Sequence, residues 1–181
     1  EIVDFEVSYN RLDTFDVDIS KWEKLLTIYL QNNNITSYNY KALWTHDNVV
    51  GVSLTGNVGI QVPQTKISMS SLQFLHLGNN EMDLNVNFDT NQFPNLMMLF
   101  VNGNNLLKFP DLSLQKNLFW LGIARCNLNS LPPYLNGFKK LTYLDARDNN
   151  ISRVDSELKT LIQRNSMESY FSGNPLCMED S

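Results

Sequence analysis

Residues 118–128 read LFWLGIARCNL. Leu118, Leu121 and Ile123 have the spacing of core residues, and between them Trp120 takes the parity of an outward-facing strand position. Gly122 and Ala124 follow on the same outer face. A large ring set outward beside two very small residues needs a reason, and the rest of the chain supplies one.

The stretch is one copy of a pattern, LxxLxLxxNxL. Other copies are IVDFEVSYNRL from Ile2, LLTIYLQNNNI from Leu25, VVGVSLTGNVG from Val49, LQFLHLGNNEM from Leu72, LMMLFVNGNNL from Leu96 and LTYLDARDNNI from Leu141. Successive copies start 22 to 24 residues apart, and a degenerate eighth, SMESYFSGNPL, begins at Ser166. Apolar residues at positions 4 and 6 alternate with polar or variable ones, the period-two signature of a short half-buried strand. One such strand cannot form a core, whereas stacked copies bury each other's apolar faces. Position 9 holds Asn10, Asn33, Asn57, Asn80, Asn104, Cys126, Asn149 and Asn174. A side-chain amide both donates and accepts, so a ladder of them satisfies buried backbone groups where each strand ends. Cys126 reads as a small buried filler in that ladder.

Seven copies in register resemble leucine-rich repeats over nearly the whole chain. The resemblance implies an α/β right-handed solenoid with a curved parallel sheet on its concave face. Short helical or 3₁₀ turns and loops would form the convex face. The expected organisation is seven repeats over 1–165, then a degenerate eighth repeat and cap over 166–181. Among the return segments, NLNSLPPYLNGFKKL (127–141) suits one helical or 3₁₀ turn opened by Pro132–Pro133. The shorter FPDLSLQKN after Lys108 looks similar, and polar residues 82–95 suggest an irregular loop.

The end YFSGNPLC, residues 170–177, resembles the closing cap of extracellular leucine-rich repeat ectodomains of plants and oomycetes. In such caps the cysteine commonly pairs with a downstream cysteine. None follows before Ser181, so Cys177 is either free or paired beyond this sequence. A bridge to Cys126 would span two repeats, roughly 10 Å by strand spacing alone, beyond an unstrained disulfide. The first repeat starts almost at residue 1 with no capping segment ahead of it, which suggests a piece of a longer protein.

At 181 residues, 43% hydrophobic and 18% charged, the composition is that of an ordinary globular domain. There is no apolar run of membrane-spanning length and no basic start followed by an apolar segment like a signal peptide. The net charge of −5 is uneven: residues 1–90, with 5 basic and 11 acidic residues, carry −6, and residues 91–181, with 9 and 8, carry +1. The absence of a basic stripe argues against nucleic acid as a partner. Two cysteines outside any Cys/His cluster argue against a zinc site, and no cofactor motif is present. Two sequons, Asn34-Ile35-Thr36 and Asn150-Ile151-Ser152, are candidate glycosylation sites.

In the fold that the resemblance implies, positions 3, 5 and 7 project from the concave sheet. From the fourth repeat onward they carry Phe74, His76, Met98, Phe100, Asn102, Trp120, Tyr143, Asp145 and Arg147. Gly78, Gly122 and Ala124 should leave shallow spaces beside the rings. Four strands about 4.8 Å apart make a patch on the order of 15 Å across, with several hundred Å² of aromatic surface. Trp, Tyr, Phe, Met and Arg are the types enriched at protein interfaces, so these nine residues form the candidate ligand-binding site. Arg125 and Asp148 would join Arg147 and Asp145 in a polar rim. The bland alternative is that the rings only brace the sheet across strands. The two histidines, His46 and His76, have no catalytic partner in the pattern, so no enzyme is expected. The resemblance implies the ligand-binding ectodomain of an extracellular or cell-surface receptor or receptor-like protein, a signalling glycoprotein with a membrane helix beyond this stretch. Its partner would be a protein or peptide, and the fragment itself would insert into no membrane. A secreted enzyme-inhibitor type or an intracellular scaffold are the alternatives.

Overall fold

Strands with two or three inward side chains cannot enclose a core singly, and this chain stacks them instead. The computed structural model describes residues 1–38, 40–60, 62, 69–82, 88–106, 109–163 and 167–178. An eight-stranded parallel sheet runs through it. Its strands are β1 (Asp4–Glu6), β3 (Thr27–Tyr29), β5 (Gly51–Ser53), β6 (Phe74–His76), β7 (Met98–Phe100), β8 (Trp120–Gly122), β9 (Tyr143–Asp145) and β10 (Glu168–Tyr170), in that spatial order. The register does not slip. One row crosses the sheet through Asp4, Thr27, Gly51, Phe74, Met98, Trp120, Tyr143 and Glu168. The chain is therefore an α/β solenoid in which each coil gives one strand to this sheet.

The apolar template positions face the interior. Leu118, Leu121 and Ile123 are fully buried, as are Leu25, Ile28 and Leu30 in the same positions of an earlier coil. In the first coil the equivalent residues have a neighbour on one side only: Ile2 is 40% exposed, and Phe5 and Val7 are partly covered. Phe5 is nevertheless closed from below by Phe15 and Trp22, with ring centroids at 5.7 and 5.2 Å.

At position 9 each amide ties two coils together. Asn104 donates to the Leu77 and Val101 carbonyls, both at 2.8 Å, and its oxygen accepts from Asn80 N–H and Met82 N–H at 3.2 and 3.0 Å. Asn57, Asn149 and Asn174 make equivalent bonds in their coils. Asn10 bonds only within its own coil, to the Val7 and Ser8 carbonyls. Cys126 keeps half the arrangement. Its thiol reaches the Val101 carbonyl at 3.3 Å, but the Leu106 N–H, lacking an amide oxygen, donates to the Cys126 backbone carbonyl at 3.0 Å.

Position 8, just before each rung, adopts a left-handed conformation in every coil: Tyr9, Asn32, Gly56, Asn79, Gly103, Arg125, Asp148 and Gly173. The turn that leaves the strand demands this conformation, which costs most residues roughly 1–2 kcal/mol and glycine far less. Three glycines answer a second demand. A Cβ on Gly56, Gly103 or Gly173 would run into the side-chain oxygen of Asn32, Asn79 or Asp148 of the coil before.

The convex side is less regular. β2 (Thr14–Phe15) and β4 (Ser37–Tyr38) pair in parallel as a second small sheet beneath the first two coils, an element the repeat pattern does not announce. Helix α1 (Tyr40–Trp44) follows, and α2 (Ser156–Ile162) lies near the C-terminal end. The turn at Pro133–Gly137 is 3₁₀, with Pro132 at its N-cap, as its prolines lead one to expect. Two expectations need correction. Part of 82–95 is ordered as a 3₁₀ turn, Thr90–Gln92, because the Asp89 carboxylate caps the Asn91 N–H and Phe88 and Phe93 anchor it in the core. Conversely, FPDLSLQKN forms no helical element. Its chain turns through separate tight bonds, such as Gln115 N–H to the Leu112 carbonyl at 2.8 Å. Residues 83–87 lie outside the described residues, as does the Cys177 side chain and hence its pairing.

Candidate functional site

Because the register is fixed, positions 3, 5 and 7 of successive coils stand side by side on the concave sheet. Trp120 is neither sealed in the core nor bare. It is half-buried between two rings, Phe100 at 5.3 Å and Tyr143 at 4.3 Å. The series continues in both directions. His76 meets Phe100 edge-on at 4.4 Å, Tyr143 meets Tyr170 at 5.3 Å, and the Arg147 guanidinium lies over the Tyr170 ring at 5.7 Å. Five rings and one cation thus form an unbroken series across β6 to β10, passing from the His76–Phe100 row to the Trp120–Tyr143 row and back to Tyr170.

The small residues have a different purpose from the one their size suggests. A Cβ on Gly122 would come within 2.6 Å of the Phe100 ring and 2.9 Å of the Asn102 amide oxygen. Phe100 therefore lies across the neighbouring strand, and glycine is the residue that lets it. Gly78 is similarly closed, by the Asn102 carbonyl at 3.1 Å from where its Cβ would be, and Ala124 is 6% exposed. The expected shallow spaces are filled. Phe74 leans the other way, over Gly51, whose Cβ would sit 3.8 Å from the Phe74 ring. Phe74 and Met98 head the column as half-buried apolar surface.

Two candidate residues turn inward to hold neighbours. The Asn102 oxygen accepts from the Ala124 N–H at 2.9 Å. Asp145, 7% exposed, accepts twice from the Arg147 guanidinium, at 2.8 and 2.8 Å. That ion-paired hydrogen bonding holds the Asp145 carboxyl below its usual range and the Arg147 guanidinium above its own. Both residues therefore position the rim, and Arg147 alone of the pair faces outward. Tyr170 was not among the sequence candidates, although it occupies position 5 of the eighth copy. Reading that copy as a cap concealed it. Its hydroxyl donates to Glu168 at 3.1 Å, which raises the phenol above its ordinary value.

The chemistry offered is that of a contact surface. Burial holds the His76 imidazole below its usual 6.5, and among the described residues no carboxylate stands beside it as a catalytic partner would. Burial also pushes the Cys126 thiol up to about 11, so it is not a nucleophile. Among the described residues no three His, Cys, Asp or Glu side chains converge as a metal site, and no helix is long and apolar enough to cross a membrane. Asn34 and Asn150 of the sequons are exposed, each followed by a buried isoleucine, Ile35 or Ile151.

No protein-family model and no curated protein matches the sequence. Solved structures do. The functional domain of InlJ from Listeria monocytogenes, described as including a cysteine ladder, superposes with a TM-score of 0.70 at 18% identity, over 96% of this chain. Internalin C2 of the same organism superposes at 0.60 with 24% identity over 90% of this chain and 72% of its own. A leucine-rich repeat protein of Leptospira interrogans superposes at 0.51 with 19% identity over 96% of this chain and 55% of its own. The chain spans 35% of the InlJ chain it matches. At these identities what is held in common is the fold.

Proposed function

We propose that this leucine-rich repeat solenoid is a non-catalytic module that holds a protein or peptide partner on its concave sheet. The carrying observation is the unbroken ring series from His76 to Tyr170. Cross-strand bracing accounts for part of it, since neighbouring rings contribute about 0.5–1.5 kcal/mol beyond their burial. Bracing alone is met as well by aliphatic pairs, and it gives no reason to leave so much ring surface half-open to solvent along one line. Partly exposed Trp, Tyr and Phe with an adjoining Arg are the residue types that anchor protein interfaces. The finer reading is an extracellular ectodomain of a receptor or receptor-like protein. It is supported by the YFSGNPLC ending and by the exposed Asn34 and Asn150.

The test is a selection of displayed peptides on the protein, followed by titration of the selected sequences against wild type and Trp120→Ala. Binding should change Trp120 emission, Trp44 being sealed in the core and Trp22 packed against Phe5 on the core side of the first coil; followed by anisotropy of the labelled peptide, it should weaken by at least about tenfold in the variant. Peptides that bind both proteins equally well would place the contact surface elsewhere.

A further inference from the structure

We infer that the segment held on this face is cationic, with arginine or lysine side chains laid over the ring faces between two acidic ends. This rests on the concave-sheet reading above and names the partner's chemistry. The argument is one of charge. Across positions 3, 5 and 7 of all eight coils the acidic residues are Asp4, Glu6, Asp145 and Glu168, and the one Lys or Arg is Arg147. Arg147 is consumed by Asp145. Exposed carboxylates therefore remain at both ends of the sheet, Asp4 and Glu6 on β1 and Glu168 on β10. The face carries a net −3, more than half of the chain's −5.

His76, kept neutral by its burial, does not offset this charge at pH 7. An anionic segment would meet repulsion at both ends. An uncharged one would leave the carboxylates unmatched.

The rings between the ends suit the same partner. The negative face of an aromatic ring attracts a guanidinium or ammonium group. The molecule already shows the geometry, with Arg147 over Tyr170 at 5.7 Å. A partner's cations over Tyr143, Trp120 and Phe100 would continue that arrangement along the ring series. From β1 to β10 the sheet spans on the order of 34 Å at about 4.8 Å per strand, the reach of about ten extended residues.

The probes are three labelled peptides of about ten residues, alternating leucine with arginine, glutamine or glutamate, followed by fluorescence anisotropy. The arginine peptide should bind at least about tenfold tighter than the glutamine peptide, with the glutamate peptide weakest. Its advantage should shrink between about 50 and about 300 mM salt. The triple variant Asp4→Asn, Glu6→Gln, Glu168→Gln should bring the arginine peptide down to the glutamine one. All three positions are exposed, so the variant keeps the fold, checked by circular dichroism. Trp120→Ala should weaken both. Equal binding of the arginine and glutamine peptides, both lost in Trp120→Ala, would overturn the cationic partner and leave the concave site standing. Arginine-peptide binding that survives Trp120→Ala would overturn both ideas. Failure of all three peptides to bind overturns the cationic inference.

Discussion

The first three coils and the last five share one backbone and differ in what they show to solvent. From β1 to β5 the concave positions are small or polar: Asp4, Glu6, Thr27, Gly51, Ser53, with Tyr29 the sole ring. From β6 to β10 they are mostly aromatic. Beneath both halves the same leucines are buried, the same amides bridge coils, and the strands pair in the same register. The lesson is that the ladder and core specify the coil while leaving the concave side chains free to vary. A solenoid separates the two because each coil contacts only its neighbours.

The ladder gives the sharpest way to break that comparison. Asn104→Ala strands two carbonyls and two N–H groups in a buried place, at about 1–3 kcal/mol for each buried group left unpaired. The expected loss is roughly 3 kcal/mol or more by denaturant unfolding. Asn57→Ala, under the bland half of the face, should cost about the same. A large difference between the two would show that the aromatic half depends on its face for stability. Cys126→Ala should cost visibly less, since its thiol offers one weak bond in place of the amide's set.

A middle-sized effect separates two buried strand glycines, Gly51 and Gly122. Gly122→Ala forces the Phe100 ring and Asn102 to move and should destabilise by about 1 kcal/mol. Gly51→Ala meets only ordinary contacts, the nearest being Thr27 Cγ2 at 3.4 Å. It should be neutral or stabilising by about 0.5 kcal/mol, since alanine is favoured over glycine in a strand. Equal effects would mean that Phe100 does not lie where the ribbon needs it.

The smallest effect is in pH. His76 is held below its ordinary 6.5 in the folded chain, so on acidification the unfolded chain takes up its proton first. Stability should fall as pH drops below 6.5, with the loss complete below the depressed folded value. Asp145, also depressed, stabilises the folded chain above 3.8 and loses that contribution only as pH falls below it. Melting temperatures of wild type and His76→Gln between about pH 7.5 and about 5 should diverge through that window. Parallel curves would remove His76 from the buried end of the ribbon.

How much of this is legible in the sequence depends on what a period can encode. Leu118, Leu121 and Ile123 announce their burial because inward and outward positions alternate strictly along a strand. That parity also puts Trp120 outside. Parity says nothing about how a ring leans, so Phe100 over Gly122 and Phe74 over Gly51 were not readable, and glycine looked like empty space. The bonds of Asn102 to the Ala124 N–H and of Asp145 to the Arg147 guanidinium are likewise not legible in residue type, because a side chain's partner depends on the rotamer it takes. The β2–β4 sheet and the Thr90–Gln92 turn fall in return segments, where no spacing recurs and local capping and core anchors decide. Tyr170 was readable in principle, at position 5 of the last copy.

The left-handed turns at position 8 constrain how such a chain can be edited. Asn32 precedes Gly56, Asn79 precedes Gly103, and Asp148 precedes Gly173, each pair locked because the first residue's side chain fills the space over the second. Excising the single coil that holds Gly56 would set Asn32 against Asn79 and bring a Cβ onto an amide oxygen. Excising the couple Asn32–Gly56 together would leave every remaining couple intact. A coil with glycine at position 8 can therefore be removed by recombination or a protein engineer without a clash only where the residue brought into its place is again glycine, or where the coil before it leaves too.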